Sequence, residues 1–158
     1  MIRYLNLYAG LGGNRKLLTD VKVTAVERDP KIAAVYQELY PNDEVVIGDA
    51  REYLLSNYKN FDWIWTSPKC QANTKMIRSG RNRKPIYPDL RCYEQAIFLK
   101  HNFNGSWVVE NVKPYYEPLI KPQYDKNIYY EGNHCPTQIL RNCVHPLVGQ
   151  HVFNCKAL

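Results

Sequence analysis

The sequence predicts a single α/β domain built on a doubly wound, mostly parallel β-sheet. The chain has 158 residues, the usual size of one domain, and 45% of them are hydrophobic, which is enough to form a core. Short segments rich in β-branched and aromatic residues alternate with segments of helical pattern. Such alternation is typical of parallel strands that are connected by helices.

Five strands and four helices account for this pattern. We predict strands over residues 3–8, 22–27, 44–47, 62–66 and 106–109. We predict helices over residues 14–20, 30–39, 51–57 and 90–103. Asp89 is the expected N-cap of the last helix.

The remaining segments are expected to be irregular. Residues 71–88 show no apolar periodicity and are predicted to form a loop. Prolines recur beyond residue 112, so we expect irregular structure there, with one or two short strands. We therefore divide the chain into a core of residues 1–122 and a segment of residues 123–158 that completes or flanks it.

The composition excludes a membrane protein and disfavours a secreted one. No segment approaches the roughly 18 consecutive apolar residues that a membrane span requires. The first apolar run, residues 4–9, leads into a glycine-rich turn instead of a signal cleavage site. Five cysteines without repeated spacing do not suit a disulfide framework. We expect a cytoplasmic protein with reduced thiols.

The positive charge is concentrated in one window of the predicted loop. The chain carries 21 basic and 15 acidic residues, a net charge of +6. A ten-residue window contains five basic and no acidic residues: Lys75, Arg78, Arg81, Arg83 and Lys84. This basic segment suits an anionic partner such as nucleic acid. The alternative is a solvated, disordered surface.

A glycine-rich turn follows the first strand, where Tyr8 is followed by Gly10, Gly12 and Gly13. Missing β-carbons let a ligand approach the backbone, and N–H groups at the start of a helix can point at it. Arg15 stands where the dinucleotide fingerprint needs a small residue, so a nucleoside without a pyrophosphate is the better ligand. A tight turn without any ligand is the alternative.

Two acidic residues follow the next two strands. Glu27 ends the second strand, and Asp49 follows the third. Ligands of doubly wound sheets bind outside the carboxyl ends of the strands, where an acid can accept hydrogen bonds from ribose hydroxyls. Both acids could therefore face one ligand. Taken singly, each is more commonly a solvated loop carboxylate.

Two further motifs follow the fourth and fifth strands: Ser67-Pro68-Lys69-Cys70-Gln71 and Glu110-Asn111-Val112. With the glycine-rich turn, Glu27 and Gly48-Asp49, they occur in the order found in cytosine-C5 DNA methyltransferases. The chain resembles the catalytic part of that family, including its phage and bacterial members, over residues 3–122. The resemblance implies the Rossmann-like fold of S-adenosylmethionine-dependent methyltransferases in a single domain.

The resemblance also implies a chemistry for three residues. Cys70 would add to C6 of cytosine, so that C5 can attack the methyl group of S-adenosylmethionine. Glu110 would hydrogen-bond N3 and the exocyclic amine, and Asn111 would hold that carboxyl group in place. A base then removes the C5 proton, and Cys70 leaves by elimination.

The resemblance implies the cofactor and substrate contacts as well. Tyr8 would stack near S-adenosylmethionine, Glu27 would hold its ribose hydroxyls and Asp49 would accept from its adenine amine. The other implied cofactor-binding residues are Gly10, Gly12, Gly13 and Pro68. The substrate would be DNA, with the target nucleotide flipped out of the duplex and the basic segment closing over it.

The sequence departs from the family in two places. Lys69 stands where the family usually carries a proline, and its ammonium could lower the pKa of Cys70, repel the sulfonium cofactor or bind an anion. The C-terminal third leaves no room for a target-recognition domain or for the helix that returns to the cofactor pocket. We expect either a second polypeptide that carries the recognition domain, or a catalytically impaired DNA-binding or regulatory remnant.

A C-terminal cluster of histidine and cysteine supports a third hypothesis, a zinc-stabilised interaction module. The cluster lacks a Cys-x-x-Cys pair, so packing and surface roles are favoured and no metal site is assigned. Its members are His134, Cys135, Cys143, His145, His151 and Cys155.

Overall fold

The computed structural model describes residues 1–74, 84–121 and 145–154, and in these ranges the chain forms one parallel sheet with helices packed on it. The five strands are β1 (Ile2–Leu7), β2 (Val21–Glu27), β3 (Glu44–Ile47), β4 (Trp63–Thr66) and β5 (Ser106–Val109). They lie in the order β3-β2-β1-β4-β5, and every neighbouring pair is parallel. The predicted fold class is confirmed.

Four α-helices accompany the sheet in the described ranges: α1 (Pro30–Leu39), α2 (Ala50–Asn57), α3 (Arg91–Asn102) and α4 (Pro146–Asn154). None of the described helices is long and apolar enough to cross a bilayer. The first three and all five strands lie within one residue of their predicted ends. The expected N-cap Asp89 lies one residue outside the observed cap, and its carboxylate accepts a hydrogen bond from the Arg91 backbone N–H at 3.1 Å.

The strand register places all the carboxyl ends at one edge of the sheet. Leu7 of β1 pairs with Val26 of β2 and with Thr66 of β4, while Thr66 also pairs with Val109 of β5. The strand order reverses direction between β1 and β4, which is where doubly wound sheets bind ligands. The segments that follow these two strands therefore meet at the switch point.

Both faces of the sheet are covered, which explains the continuous hydrophobic runs in its central strands. On one face the core is formed by aliphatic side chains, among them Leu5, Leu7, Ile64 and Leu99. The other face is aromatic, with stacked rings from β1 and β4: Tyr4, Trp63 and Trp65. The ring of Phe153 on α4 contacts Tyr4 and Trp63.

The helix predicted over residues 14–20 is wrong, because only a short 3-10 helix forms, at Gly13–Arg15. The side chain of Asn14 turns into the core and donates to the Asn6 side chain at 2.9 Å. The Arg15 guanidinium donates to the Leu18 carbonyl at 2.9 Å. Side chains that bond to nearby polar groups in this way compete with regular helix formation.

The expectation of irregular structure beyond residue 112 is confirmed for residues 113–121 but is wrong for the C-terminal helix α4 (Pro146–Asn154). Helix α4 packs directly on the 3-10 helix, and the Gln150 side chain donates to the Leu17 carbonyl at 3.3 Å. A helix does therefore return to the glycine-rich turn. Proline supports this helix instead of breaking it, because Pro146 is its first residue, where no N–H partner is needed.

Replacing Gly149 with alanine is expected to detach α4 from the sheet. A β-carbon at this position would lie 2.4 Å from the Asn14 carbonyl oxygen and 2.6 Å from its Cα, both backbone atoms that cannot rotate away. Overpacking of this kind costs about 1–3 kcal/mol, which denaturant unfolding monitored by tryptophan fluorescence should measure.

Gly48→Ala is the matched control, because nothing lies within 4 Å of the β-carbon it would add. Equal unfolding free energies for the two variants would contradict the close packing of α4 on the glycine-rich turn.

Candidate active site

The segments after β4 and β5 are joined by hydrogen bonds that bring the Cys70 and Glu110 motifs together. The backbone N–H of Glu110 donates to the Thr66 carbonyl at 2.9 Å. The side-chain amide of Asn111 donates to the Pro68 carbonyl at 3.2 Å. The segment that leads to Cys70 is thus held against the segment that carries Glu110.

The Glu110 carboxyl group lies near the Ser67 hydroxyl at the carboxyl end of the sheet. Burial raises the pKa of Glu110, and the nearby Ser67 hydroxyl partly opposes this by favouring the ionised form. The Ser67 oxygen in turn accepts a hydrogen bond from the indole N–H of Trp65 at 2.7 Å. A carboxyl group with a raised pKa is a suitable proton donor near neutral pH.

The thiol of Cys70 is partly buried, and its pKa is raised, first by burial and then by the negative charge of Glu110. The carboxyl group therefore lies within electrostatic range of the sulfur. The backbone carbonyl of Cys70 accepts from the N–H groups of Asn73 and Thr74 at 2.9 and 3.2 Å, so the thiol lies on a tight turn.

Lys69 is exposed, and its positive charge adds to the larger effect of Arg91 in lowering the pKa of Asp89. Of the three roles left open for Lys69, lowering the pKa of Cys70 gains no support, because burial and the charge of Glu110 raise that pKa. Asp89 also forms a close ion pair with Arg91.

The raised pKa predicts slow alkylation of Cys70 by iodoacetamide at neutral pH, because only the thiolate reacts. Glu110→Gln removes one of the two causes of the shift, so alkylation should accelerate in the pH range where Glu110 is ionised. Peptide mapping by mass spectrometry separates Cys70 from Cys92, the internal control, which burial protects and Glu110 does not affect. An unchanged rate at Cys70 would show that the two groups are not neighbours.

Glu27 and the glycine-rich turn form the β1–β2 side of the site. The Glu27 carboxylate accepts from the backbone N–H groups of Gly10 and Asp29, both at 3.0 Å. Gly10 has φ of +53° and nothing within 4 Å of an added β-carbon, so a ligand can approach its backbone. Each carboxylate oxygen of Glu27 keeps a second acceptor position for a ligand hydroxyl.

The other two glycines of the turn have structural surroundings. Gly12 adopts φ of +69°, and a β-carbon there would lie 2.5 Å from the ring of Tyr40 and 2.6 Å from the ring of Tyr36. Gly13 begins the short 3-10 helix. The packing of Gly12 is thus sufficient to require glycine, without any ligand.

Tyr8 is positioned by a buried relay that sequence reasoning missed. Its backbone has φ of +56°, which is uncommon for a non-glycine residue and is a feature of functional sites. Its hydroxyl accepts from the Gln95 amide at 2.8 Å, and the Gln95 carbonyl accepts from the Thr66 hydroxyl. Gln95 and Thr66 are buried, and both lie inside otherwise regular elements, so nothing in their sequence context distinguishes them.

Asp49 has two possible uses. One carboxylate oxygen caps α2 by accepting from the N–H groups of Arg51 and Glu52 at 2.9 and 3.2 Å. Asp49 is exposed and follows the carboxyl end of β3, at the same edge of the sheet as the glycine-rich turn. A solvated cap and a ligand contact are both compatible with this position.

Asn73 closes the base of the predicted loop and was also missed. It is buried, and its amide makes two hydrogen bonds with the backbone of Asp89, donating to the carbonyl at 2.7 Å and accepting from the N–H at 2.9 Å. Of the basic segment, Lys84 is described and exposed. The other four basic residues lie outside the described ranges: Lys75, Arg78, Arg81 and Arg83.

The zinc hypothesis gains no support from the described part of the chain, where no group of three side chains could hold a metal. His145 and His151 belong to this part. The other members of the cluster lie outside it: His134, Cys135, Cys143 and Cys155.

Comparison with known proteins shows the fold. No family model matches the chain, and no curated protein does. A solved structure of a DNMT2 mutant from Spodoptera frugiperda matches 72% of this chain at 24% identity with a TM-score of 0.50. Entamoeba histolytica methyltransferase EhMeth matches 71% at 17% identity with a TM-score of 0.46. This chain spans 36% of the first protein and 38% of the second. Its sheet and helices have a methyltransferase fold.

Proposed function

We propose that this protein transfers a methyl group from S-adenosylmethionine to C5 of a cytosine in DNA. One observation carries the proposal: Cys70 and Glu110 follow two neighbouring parallel strands, and hydrogen bonds from Glu110 and Asn111 to the Thr66 and Pro68 carbonyls join the two segments. This pair supplies the nucleophile and the proton donor that the chemistry of cytosine C5 requires. The methyltransferase fold supports the proposal.

The residues of the glycine-rich turn fit the cofactor. Gly10 leaves its backbone open, Glu27 has acceptor positions for ribose hydroxyls, and Asp49 lies beyond the next strand for the adenine amine. The ring of Tyr8 is held beside this space by Gln95. When bound, S-adenosylmethionine supplies an electrophilic methyl group on a sulfonium centre.

The mechanism assigns one task to each side chain. Cys70 would lose its proton to solvent, and its sulfur would form a bond to C6 of the flipped cytosine while Glu110 gives a proton to N3. The resulting enamine electron pair at C5 would take the methyl group that the cofactor would supply, with the bond between that methyl group and the sulfonium sulfur breaking to leave a neutral thioether. A base then removes the C5 proton, the pair reforms the C5–C6 double bond, the sulfur–C6 bond breaks, and N3 returns its proton to Glu110.

The raised pKa of Cys70 has a consequence for this mechanism. Because burial and the charge of Glu110 raise the pKa of Cys70 in the free protein, we infer that the thiolate forms as the substrate arrives. Binding of the base to Glu110 in its protonated form removes the negative charge that opposes the thiolate. The same contact that activates the cytosine therefore also activates the nucleophile.

DNA would be held by the basic segment, and a second polypeptide would supply target recognition. For each phosphate that a lysine or arginine contacts, the logarithm of the binding constant falls by about 0.9 for each unit rise in the logarithm of the salt concentration. The affinity for DNA should therefore fall steeply with ionic strength. The anchored base of the segment, where Asn73 bonds to Asp89, lies next to the turn that carries Cys70. The described residues that border the segment therefore lie beside the nucleophile.

Fluorinated DNA tests the proposal. The full chain is incubated with S-adenosylmethionine and random-sequence duplexes containing 5-fluorocytosine, with and without candidate partner chains. Fluorine at C5 cannot leave as a proton does, so a methylated adduct should accumulate, and peptide mapping should place it at Cys70. Duplexes with ordinary cytosine are the control.

Absence of an adduct under every condition would contradict methyl transfer and end the proposal. Salt-dependent DNA binding that is indifferent to the cofactor and to Cys70 would then support the impaired DNA-binding remnant, which the raised pKa of Cys70 favours as the second candidate.

A further inference from the structure

We propose that Asn73 is a positioning residue that holds the turn of Cys70 at a fixed place beside the segment that carries Glu110. This inference rests on the proposed function, because it concerns the geometry in which the two side chains would meet one base. Its evidence is the set of hydrogen bonds that anchor the chain before and after Cys70.

Cys70 lies in a short span that is attached at both ends to the segment after β5. Before the cysteine, the attachment is formed by the hydrogen bonds of Glu110 and Asn111 to carbonyls of the preceding chain, at 2.9 and 3.2 Å. After the cysteine, the backbone N–H of Tyr115 donates to the Asn73 carbonyl at 3.0 Å. The thiol is thus bracketed by two anchors on the same partner segment.

Asn73 forms the second anchor with both its backbone and its side chain. Its backbone N–H donates to the Cys70 carbonyl at 2.9 Å, which closes the turn. Its side-chain nitrogen donates to the Asp89 carbonyl at 2.7 Å, and its side-chain oxygen accepts from the Asp89 N–H at 2.9 Å. One residue therefore joins the cysteine turn to the segment after β5 and to the residues that precede α3.

The amide of Asn73 has one satisfactory orientation. Both of its partners are backbone groups of Asp89, so the oxygen must face the N–H and the nitrogen must face the carbonyl. Asn73 is 1% exposed, and a buried polar group that loses its partner is costly. The next residue, Thr74, forms an antiparallel bridge with Pro114 and extends the anchor by one position. The end of the turn is therefore fixed.

The consequence concerns the approach of the thiol to a base. Reacting atoms must come within about 3–3.5 Å of each other, and a displacement of about 1 Å can lower a rate about 10²-fold. The parallel pairing of β4 with β5 ends at Thr66 and Val109, so it fixes only the start of the chain that leads to Cys70. The anchor at Asn73 fixes the other end, and the span between the two keeps its place.

The first test measures alkylation of the full chain by iodoacetamide, without DNA or cofactor, with peptide mapping by mass spectrometry. Asn73→Ala should accelerate alkylation of Cys70 several-fold, because release of the turn exposes a thiol that is partly buried. Cys92, which is buried on α3, should keep its rate. Asn57→Ala is the matched control, since the Asn57 amide also donates to a backbone carbonyl, at 3.0 Å, but within α2. It should leave Cys70 unchanged.

The second test follows hydrogen exchange of the Asp89 backbone amide by NMR. Asn73→Ala removes the acceptor of this N–H, so exchange should accelerate several-fold. Asn73→Asp has the same shape and keeps that acceptor, so the Asp89 amide should exchange slowly, as in the wild type. Equally slow exchange in Asn73→Ala would show that the side chain does not hold the start of α3, and the proposal would fail.

These readouts separate the anchor from the proposed reaction. An unchanged rate at Cys70 in Asn73→Ala, or equal acceleration at Cys70 and Cys92, would overturn the positioning role even if the protein methylates DNA. The expected rates would support the anchor even if the fluorocytosine adduct never forms. Where methyl transfer is measurable, Asn73→Ala should lower kcat by about 10²-fold with KM for the cofactor unchanged, and a loss confined to KM would count against the proposal.

Discussion

Cys70→Ala is expected to abolish both the adduct with 5-fluorocytosine DNA and methyl transfer to ordinary DNA. Without the sulfur–C6 bond, C5 of cytosine lacks the electron density to attack a methyl group, so the rate should fall by at least roughly 10³-fold. Methyl transfer is measured as tritium incorporated into DNA from labelled cofactor. DNA binding without cofactor should be nearly unchanged, because the substitution removes no charge from the basic segment.

Cys92→Ala is the matched control for this prediction. Cys92 is the other thiol in the described ranges, it is buried on α3, and the charge that acts on it is that of Asp89 and not of Glu110. Its replacement should leave methyl transfer within a few-fold of wild type. Transfer that survives in Cys70→Ala would mean that the reaction does not use covalent addition at this residue, and the assignment of the site would fail.

The sheet could be predicted from sequence because its central strands, β1, β2 and β4, contain short apolar runs that are buried on both faces. In β4, for example, four consecutive residues, Trp63–Thr66, are all buried, so no polar alternation confuses the pattern. The prediction of a helix over residues 14–20 is wrong because a polar residue of this segment is buried, which the sequence pattern does not show. Asn14 looks like an ordinary first-turn residue, and only the tertiary structure reveals that it is buried against Asn6 and that α4 packs on its backbone.

The placement of the candidate site residues was predictable where they follow strands. Cys70 and Glu110 follow β4 and β5, and parallel pairing of those strands is enough to bring their ends together. The supporting residues were not predictable. Trp65, Gln95 and Asn73 lie in segments where such side chains usually serve packing or loop structure. The hydrogen bonds of Gln95 and Asn73 reach residues far away in the chain, and that of Trp65 reaches a residue two positions on, so the sequence does not reveal any of them.

Gly12→Ala is expected to cause the largest loss of stability in the glycine-rich turn. An alanine at φ of +69° costs about 1–2 kcal/mol in backbone strain, and overpacking adds about 1–3 kcal/mol. The rings that the β-carbon would strike cannot swing aside. The Tyr40 hydroxyl donates to the Gly12 carbonyl at 2.8 Å, and the Tyr36 hydroxyl donates to Asp43 at 3.0 Å. A domain of ordinary stability, about 5–15 kcal/mol, would lose a large share of it.

Gly10→Ala isolates the packing contribution, because Gly10 has φ of +53° but open space around its β-carbon position. It should lose only the backbone strain of about 1–2 kcal/mol. Since that open space is where the cofactor would approach, Gly10→Ala should weaken S-adenosylmethionine binding in calorimetry more than its modest loss of stability explains. Urea unfolding of both variants measures the difference. Equal destabilisation would show that Tyr36 and Tyr40 do not pack against Gly12, and the glycine would then be required by its backbone conformation alone.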